Sequence, residues 1–381
     1  MFKHTVICPL CFEKVNVSDI GFKCCSPTCR SSSEFFRVQA EIPLLEKLGV
    51  LSAPKRMQHT CGEMAAARIC PNCKQEIPSE IEDITDLRIT IIGVHEVGKS
   101  VYVTMLIHWI KCMEAKFGWR LIALTKSTIS QYGVFHDRLF KRHELLYASH
   151  VICDTYRHAP LVYVLHLGKG MLAKRIMLVF LDVPGENLNN QAFLPHVSRY
   201  ICNASGIICI VDPLQIGSIR KTIAAKYGED VLPMPEIDSC GVIMGRIVDA
   251  IKENTHCGKQ IKIPLAVAFS KMDFVREAGE NTAGVCDELF RETRHHGAFC
   301  EAEFKKIDGL MRSWVQEVDV SASILAQSEI FEKNAFFGFS ALGCNPKGNG
   351  ERLDRDPRSF RVEDPFLWLL RQKKLIKTIK G

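Results

Sequence analysis

Residues 87–100 read Leu87-Arg88-Ile89-Thr90-Ile91-Ile92-Gly93-Val94-His95-Glu96-Val97-Gly98-Lys99-Ser100. The first part is an apolar, β-branched run typical of a strand, and the part from Gly93 onward matches the pattern GxxxxGK[ST]. Backbone N–H groups of such a loop, together with the positive end of the helix that follows, can wrap phosphate groups. The stretch therefore predicts a nucleotide-phosphate site that extends to Val101, with Lys99 on the terminal phosphates and the Ser100 hydroxyl on Mg²⁺.

Apolar strand-like runs alternate with helical patterns along the rest of the chain. The predicted strands cover residues 87–92, 160–167, 175–181, 206–211, 263–269 and 335–340. The predicted helices cover residues 99–117, 188–203, 240–254, 284–316 and 364–379. Such alternation predicts an α/β fold, a mostly parallel sheet with helices on both faces. The turn Gly168-Lys169-Gly170 indicates that the second and third strands are antiparallel neighbours.

A second motif follows the third apolar run, where the sequence reads Asp182-Val183-Pro184-Gly185-Glu186. A carboxylate at a strand end can hold Mg²⁺ through water, so Asp182 is the predicted partner of Ser100. Gly185 would then offer its N–H to the γ-phosphate. The alternative is an acidic residue before an ordinary Pro-Gly turn.

The fifth apolar run ends in Ser270-Lys271-Met272-Asp273, and the last one leads into Ser340-Ala341. A carboxylate at Asp273 can accept hydrogen bonds from guanine N1 and N2, and adenine lacks the matching donors. The stem of Lys271 would cover the ring face, with Ser270 beside it. Ser340 and Ala341 are predicted to supply a backbone N–H to guanine O6. The alternative is a pair of solvated side chains after a strand.

The long connection between residues 118 and 159 is predicted to hold helices of its own and to supply a threonine that closes over Mg²⁺. It offers Thr125, Thr128 and Thr155. Thr155 is the choice, because it lies just ahead of the second predicted strand. The alternative is a plain loop threonine.

Cysteines cluster at the start of the chain. In a reduced compartment such clusters hold metal more often than they form disulfides, and sulfur-rich sets favour zinc. The candidate ligands are Cys8, Cys11, Cys24, Cys25, Cys29, His59, Cys61, Cys70 and Cys73. Because residues 1–80 lack the apolar periodicity of a self-sufficient core, they are predicted to be a zinc-ribbon-like module, followed by a second domain over residues 87–381.

Two pairings of these ligands are open. In the first, the CPxC turns at Cys8-Cys11 and Cys70-Cys73 share one metal, and the candidate ligands that lie between them in the sequence form a second site. In the second, each turn shares a metal with the candidate ligands nearest to it in the sequence. One or two zinc ions are therefore equally compatible with the sequence.

Composition restricts the classes of partner and the cellular compartment that we expect for this chain. The chain has 381 residues, 24% of them charged, and a net charge of +6. No apolar run is long enough for a transmembrane segment and no leader-like start is present, so a cytoplasmic protein is expected. Because the cysteine module lacks dense basic and aromatic interleaving, a protein partner is favoured over nucleic acid.

The order GxxxxGKS, DxPG, SKxD and SA resembles that of translation-factor-related P-loop GTPases. Two further segments, Ile210-Val211-Asp212-Pro213-Leu214-Gln215 and residues 361–370, together with the cysteine-rich start, resemble the bacterial double-GTPase family. The resemblance implies a GTP/GDP-binding and Mg²⁺-dependent molecular switch with GTP hydrolase activity, working beside a second GTPase in conflict or defence systems.

Two departures from the GTPase pattern modify that expectation. Ser270 replaces the usual Asn or Thr, and Glu186 follows Gly185 where many GTPases carry a Gln or His that positions water. The predicted catalytic residues are therefore Lys99, Thr155, Gly185 and Glu186, with slow intrinsic hydrolysis until a partner supplies the missing group. The rival interpretations are an ATPase that uses the same loop, and a zinc-ribbon adaptor with a degenerate nucleotide domain.

Overall fold

The structure is a computed structural model, and it describes residues 5–27, 29, 35–36, 55–79, 81–93, 97–146, 159–168, 173–184, 194–228, 232, 240–255, 258–279, 284–344 and 352–380. Short strands dominate the N-terminal part: β1 (Thr5–Ile7), β2 (Lys14–Asn16), β3 (Gly21–Lys23), β4 (Phe35–Phe36), β5 (Met57–Gln58), β6 (Met64–Ala65), β7 (Ala67–Ile69) and β8 (Glu76–Ile77). They form two hairpins, β1-β2 and β5-β6, and one four-stranded sheet in the order β4-β3-β7-β8.

The remaining strands are β9 (Thr85–Gly93), β10 (Trp119–Ala123), β11 (Leu161–Leu167), β12 (Lys174–Pro184), β13 (Gly206–Val211), β14 (Leu265–Phe269), β15 (Phe299–Cys300), β16 (Asn334–Gly338) and β17 (Thr378–Ile379). The helices are α1 (Lys99–Phe117), α2 (Lys126–Phe140), α3 (Leu194–Cys202), α4 (Gly217–Tyr227), α5 (Cys240–Asn254), α6 (Met272–Ala278), α7 (Val285–Leu289), α8 (Glu301–Val318), α9 (Ser323–Ser328) and α10 (Asp364–Gln372).

Seven strands form the large sheet, in the order β10-β11-β12-β9-β13-β14-β16. The five from β12 to β16 run parallel, while β11 is antiparallel to both β10 and β12. The predicted mixed α/β architecture with a mostly parallel sheet is confirmed, as is the antiparallel pairing of the second and third predicted strands. Every residue of β13 and β14 is buried, which explains their continuous apolar sequences.

Predicted helices 99–117 and 240–254 coincide with α1 and α5. Helix α1 stops at Gly118, whose left-handed backbone (φ 65°) lets its N–H bond the Glu114 carbonyl. Helix α3 covers the end of predicted helix 188–203, whose first six residues lie outside the described part of the chain. Helix α2 confirms that residues 118–159 contain helical structure.

The predicted helix 284–316 is wrong as a single element, because α7 ends at Leu289 and α8 begins only at Glu301. Between them, Arg294 N–H donates to the Glu303 carboxylate and Cys300 N–H donates to His295 Nδ1, while Gly297 adopts a left-handed backbone (φ 71°). These contacts stabilise a loop within an otherwise helical sequence pattern.

The predicted helix 364–379 is also too long. Helix α10 ends at Gln372, Lys374 has a left-handed backbone (φ 55°), and Thr378–Ile379 pair with Phe299–Cys300 as β17 and β15. Strands β10, β15 and β17 and helices α4, α6 and α9 had not been predicted. In the described part of the chain, no helix is long and apolar enough to cross a membrane.

Candidate functional site

The phosphate-loop motif lies between β9, which ends at Gly93, and α1, which begins at Lys99. A Cβ at Gly93 would stand 2.6 Å from the Ile210 carbonyl oxygen, so the packing of β9 against β13 requires glycine there. Gly98 has a left-handed backbone (φ 87°) that turns the chain into the helix. Val94, His95 and Glu96 lie outside the described residues, and Val97 is buried.

Lys99 turns back over the start of the loop. Its side chain is largely buried, and Nζ donates to the Gly93 carbonyl oxygen at 3.1 Å. The cation is therefore held between the strand end and the first turn of α1, where the helix also contributes its positive end. This arrangement can neutralise anionic groups at the loop.

Ser100 and Asp182 meet beside that lysine. The Ser100 hydroxyl donates to Asp182 Oδ2 at 2.6 Å, because parallel pairing brings the end of β12 next to β9, with Asp182 opposite Ile91. The other carboxylate oxygen, Oδ1, is buried and has no hydrogen-bond partner among the described residues. A buried carboxylate oxygen with open capacity and an adjacent hydroxyl are oxygen ligands that suit Mg²⁺.

The structure describes two of the other residues that were considered for the Mg²⁺ and γ-phosphate region, Thr125 and Thr128. Thr155, Gly185 and Glu186 lie outside the described part of the chain. Thr125 accepts from Thr128 N–H as the N-cap of α2, and the Thr128 hydroxyl accepts from Val162 N–H at 2.9 Å. Both described threonines therefore have structural hydrogen bonds.

The base-recognition candidates follow β14 and β16. Asp273 lies in the first turn of α6, where burial raises the pKa of its carboxyl and a hydrogen bond from Ser340 opposes that rise. Ser340 N–H donates to the Phe360 carbonyl at 3.0 Å. Because that donor is occupied, Ala341 is the better candidate for a backbone N–H toward a base.

All these groups lie at one edge of the large sheet. Gly93, Asp182, Ser270 and Ser340 stand at or just after the carboxyl ends of parallel strands β9, β12, β14 and β16. In open α/β sheets this edge is where ligands bind. The structure thus brings the predicted phosphate, cation and base residues to a common edge.

The ion pair of Asp212 with Lys271 had not been predicted. Asp212 had been named only as part of the segment 210–215 that resembles the double-GTPase family. It lies directly after β13, is 3% exposed, and accepts from Lys271 Nζ at 2.5 Å. An acidic residue immediately after an apolar run of the sequence was the available signal, since Asp182 also follows such a run.

Arg361 supports the loop that follows β16. It donates to Glu303 at 2.9 Å, to Asp364 at 3.2 Å and to the Leu289 carbonyl at 3.0 Å, all in buried surroundings. The adjacent Phe360 pairs through its backbone with Ser340. The buried ion-pair network therefore stabilises the Ser340–Ala341 segment.

The N-terminal ligands form two groups that could each hold a metal ion. Cys8, Cys11, Cys70 and Cys73 make the first, with Sγ atoms 3.9 Å apart in the pairs Cys8–Cys73 and Cys11–Cys70. Each CPxC turn is followed by a residue with a left-handed backbone, Phe12 (φ 57°) or Lys74 (φ 60°). The structure thus favours the pairing in which the two turns share one metal.

Cys24, Cys29, His59 and Cys61 make the second group. His59 Nδ1 lies 3.1 Å from Cys61 Sγ and 3.5 Å from Cys29 Sγ, and its hydrogen bond lowers the pKa of the Cys61 thiol to about 7. Cys25 belongs to neither group among the described residues, since it is exposed and its Sγ faces the Lys23 carbonyl. It is therefore removed from the candidate ligands.

The first cysteine group is packed against α3, the helix that follows the Asp182 motif. The ring of Phe12 meets Tyr200 edge-on with centroids 4.8 Å apart, and Glu13 pairs with Arg199 at 2.9 Å. Val6, Phe12 and Val15 also belong to the same apolar cluster as the large sheet. The described cysteine module and the sheet therefore share one hydrophobic core.

Comparison with known proteins gives distant relatives. No family model matches the chain. A Mycolicibacterium smegmatis protein, whose provisional name is ESX-1 scaffolding and assembly protein SaeC, is 24% identical over 323 residues, covering 80% of this chain and 79% of that protein.

Among solved structures, a point variant of Aquifex aeolicus Era bound to GDP·AlF₄⁻ matches with a TM-score of 0.26 and 11% identity over 68% of this chain. Era in complex with MgGDPNP and a 16S ribosomal RNA segment matches with 0.26 and 12% over 73%. The matches span 52% and 62% of those two chains, less than two thirds of either.

Proposed function

We propose that this protein is a Mg²⁺-dependent GTP-binding switch that hydrolyses GTP slowly, with residues 87–381 as a P-loop GTPase-like domain whose sheet is covered by helices on both faces. The observation that carries the proposal is the contact of the Ser100 hydroxyl with the Asp182 carboxylate beside buried Lys99. This combination supplies a cation, a hydroxyl and a carboxylate at the end of a glycine-rich loop.

Each residue has a distinct role in this proposal. Lys99 binds the terminal phosphates, while Ser100 and Asp182 hold Mg²⁺, which would neutralise phosphate charge when bound. Thr155 and Gly185 would respond to the γ-phosphate, and Glu186 would be a weak substitute for a water-positioning Gln. We therefore expect hydrolysis to accelerate only when a partner contributes a missing group.

Guanine selectivity is assigned to Asp273, with Lys271 against the ring face and Ala341 toward O6. The burial that raises the pKa of the Asp273 carboxyl supports the assignment, since a carboxylate shielded from water makes stronger and more selective hydrogen bonds. An unmatched base would leave it unpaired, which is the basis of discrimination against adenine.

For the N-terminal part we propose a zinc-ribbon-like module over residues 1–80 with two zinc ions, one in each ligand group. Four thiolates, or three thiolates and one imidazole, are ligand sets that tetrahedral structural zinc prefers. Because the module lacks dense basic and aromatic interleaving, a scaffold or protein-binding role is favoured over nucleic-acid binding. Its packing against α3 links it to the large sheet.

The nucleotide-bound form would recruit a protein partner. A similarity over 80% of the chain to a protein named for scaffolding and assembly supports such a role. The resemblance to double GTPases suggests a second GTPase as the partner, in a bacterial conflict or defence system, and a cytoplasmic location goes with that proposal.

Base selectivity tests this function against its rivals. We expect fluorescent GTP and GDP to bind with Mg²⁺ far more tightly than ATP, and Asp273→Asn to weaken guanine-nucleotide binding by about 100-fold. Xanthine presents an acceptor where guanine has its N2 donor, so the Asn amide should favour XTP. Titration by fluorescence anisotropy gives all four affinities.

Asp287→Asn is the matched control, because Asp287 is an exposed carboxylate on the neighbouring helix α7. It should bind like the parent protein. Equal ATP and GTP binding in both Asp273 forms would support the ATPase interpretation, and no nucleotide binding at all would support the adaptor.

A further inference from the structure

Asp212 and Lys271 form an ion pair where two neighbouring parallel strands end. Asp212 directly follows β13, and Lys271 comes two residues after the end of β14. Lys271 Nζ lies 2.5 Å from Asp212 Oδ2, and the side chains are 34% and 3% exposed, respectively. A buried carboxylate thus lies beneath a cation that reaches the surface at the candidate nucleotide edge.

The two oxygens of Asp212 serve different groups. Oδ1 accepts from Leu214 N–H at 2.9 Å and caps the short 3₁₀ helix Pro213–Gln215. Capping requires a hydrogen-bond acceptor but does not require a charge, so the side-chain oxygen of asparagine would cap this helix equally well. Because burying a carboxylate is unfavourable unless it is paired, the charge at Asp212 is explained by Lys271 and not by the cap.

The backbone around Lys271 is fixed by separate contacts. Lys271 itself has a left-handed backbone (φ 54°) at the N-cap of α6. Before it, the Ser270 hydroxyl donates to the Val211 carbonyl at 3.2 Å, and after it, Met272 N–H donates to the Phe339 carbonyl at 3.2 Å. With the Cα held by these bonds and Nζ held by Asp212, both ends of the lysine side chain are anchored.

We propose that Asp212 is a positioning residue of the nucleotide site, acting through Lys271. It holds the lysine side chain in one conformation near Asp273 before a ligand binds. A purine ring that packs on this side chain therefore does not have to offset the loss of its rotamer entropy. This inference rests on the proposed function. Because contact with a ring face does not depend on the hydrogen-bonding edge of the base, Asp212 contributes affinity and leaves selectivity to Asp273.

The test is a double-mutant cycle on the full chain. Asp212→Asn keeps the cap acceptor and removes the charge, and Lys271→Met keeps the stem and removes the amine. We expect each single variant to bind fluorescent GDP and GTP about tenfold more weakly with the GTP-to-ATP ratio unchanged, and the double variant to be no weaker than Lys271→Met.

Controls separate positioning from a loss of stability. Asp319→Asn changes another buried carboxylate that caps a helix, through Ile324 N–H at 3.0 Å, and should bind nucleotide normally. Asp212→Glu retains the charge and should bind more tightly than Asp212→Asn. If Asp212→Asn does not fold, Lys271→Met tests the same pair from its other end, because it removes the amine that Asp212 holds.

The outcomes are distinct. If the parent protein selects guanine and Asp212→Asn binds GDP and GTP as tightly as the parent does, the positioning role is overturned and the proposed function stays intact. Affinity losses that multiply in the double variant, or a changed GTP-to-ATP ratio, would also overturn it. Parent protein that binds no nucleotide would refute the proposed function and this inference together.

Discussion

Lys99→Ala should weaken GTP and GDP binding by about 100- to 1000-fold, the largest effect that we expect from one side chain on ligand affinity. The amine is held over the loop by the Gly93 carbonyl, so it is oriented before a ligand arrives. Its removal deletes a charge-assisted contact to the terminal phosphates in a water-poor setting, where such contacts are strong. Isothermal titration with Mg²⁺GTP would measure the loss.

Lys252→Ala provides the matched control. Lys252 is an exposed lysine in the last turn of α5, so its removal should leave nucleotide affinity unchanged. Both variants should melt near the parent temperature in the absence of nucleotide. A Lys99→Ala protein that bound GTP as tightly as the parent would remove the phosphate loop from the proposed site.

Cys70→Ser should reduce the zinc content from two ions per chain to one and unfold part of the N-terminal module. Structural zinc sites contribute about 10–16 kcal/mol of apparent binding free energy, which such small modules need in order to fold. Cys70 is buried in the first group, with its Sγ 3.9 Å from Cys11 Sγ, so a serine there would leave a metal ion one thiolate short. Elemental analysis of the purified chain would measure the stoichiometry.

Cys25→Ser is the control for that experiment, since it removes an exposed thiol outside both groups. It should retain two zinc ions. Cys24→Ser should lose the other ion while the first remains. If Cys25→Ser lost zinc, or if Cys70→Ser kept both ions, the assignment of ligands to two groups would be wrong.

Local sequence patterns determined the elements around the candidate nucleotide site. Helices 99–117 and 240–254 were predicted from their apolar periodicity, and six strands of the large sheet from their buried β-branched runs. Asp182 and Asp273 were proposed as site residues because each follows an apolar run, and their roles stay predictions. These features depend on neighbours within a few residues, so a single sequence contains the information.

Tertiary structure decided the features that depend on distant neighbours. Which ligands group with the two CPxC turns could not be deduced, because each turn has the same local form and the two groups of ligand atoms come together only in the folded chain. The end of α7 and the start of α8 are both held by the remote Arg361, which donates to the Leu289 carbonyl and to the Glu303 carboxylate. Strand β17 forms because β15 pairs with it. Likewise, the Asp212–Lys271 pair joins residues that follow two strands, and the sequence does not state that these strands are neighbours in the sheet. In each case the deciding hydrogen bond, ion pair or ligand set spans elements that are remote in sequence, and only the folded chain brings its members within contact distance.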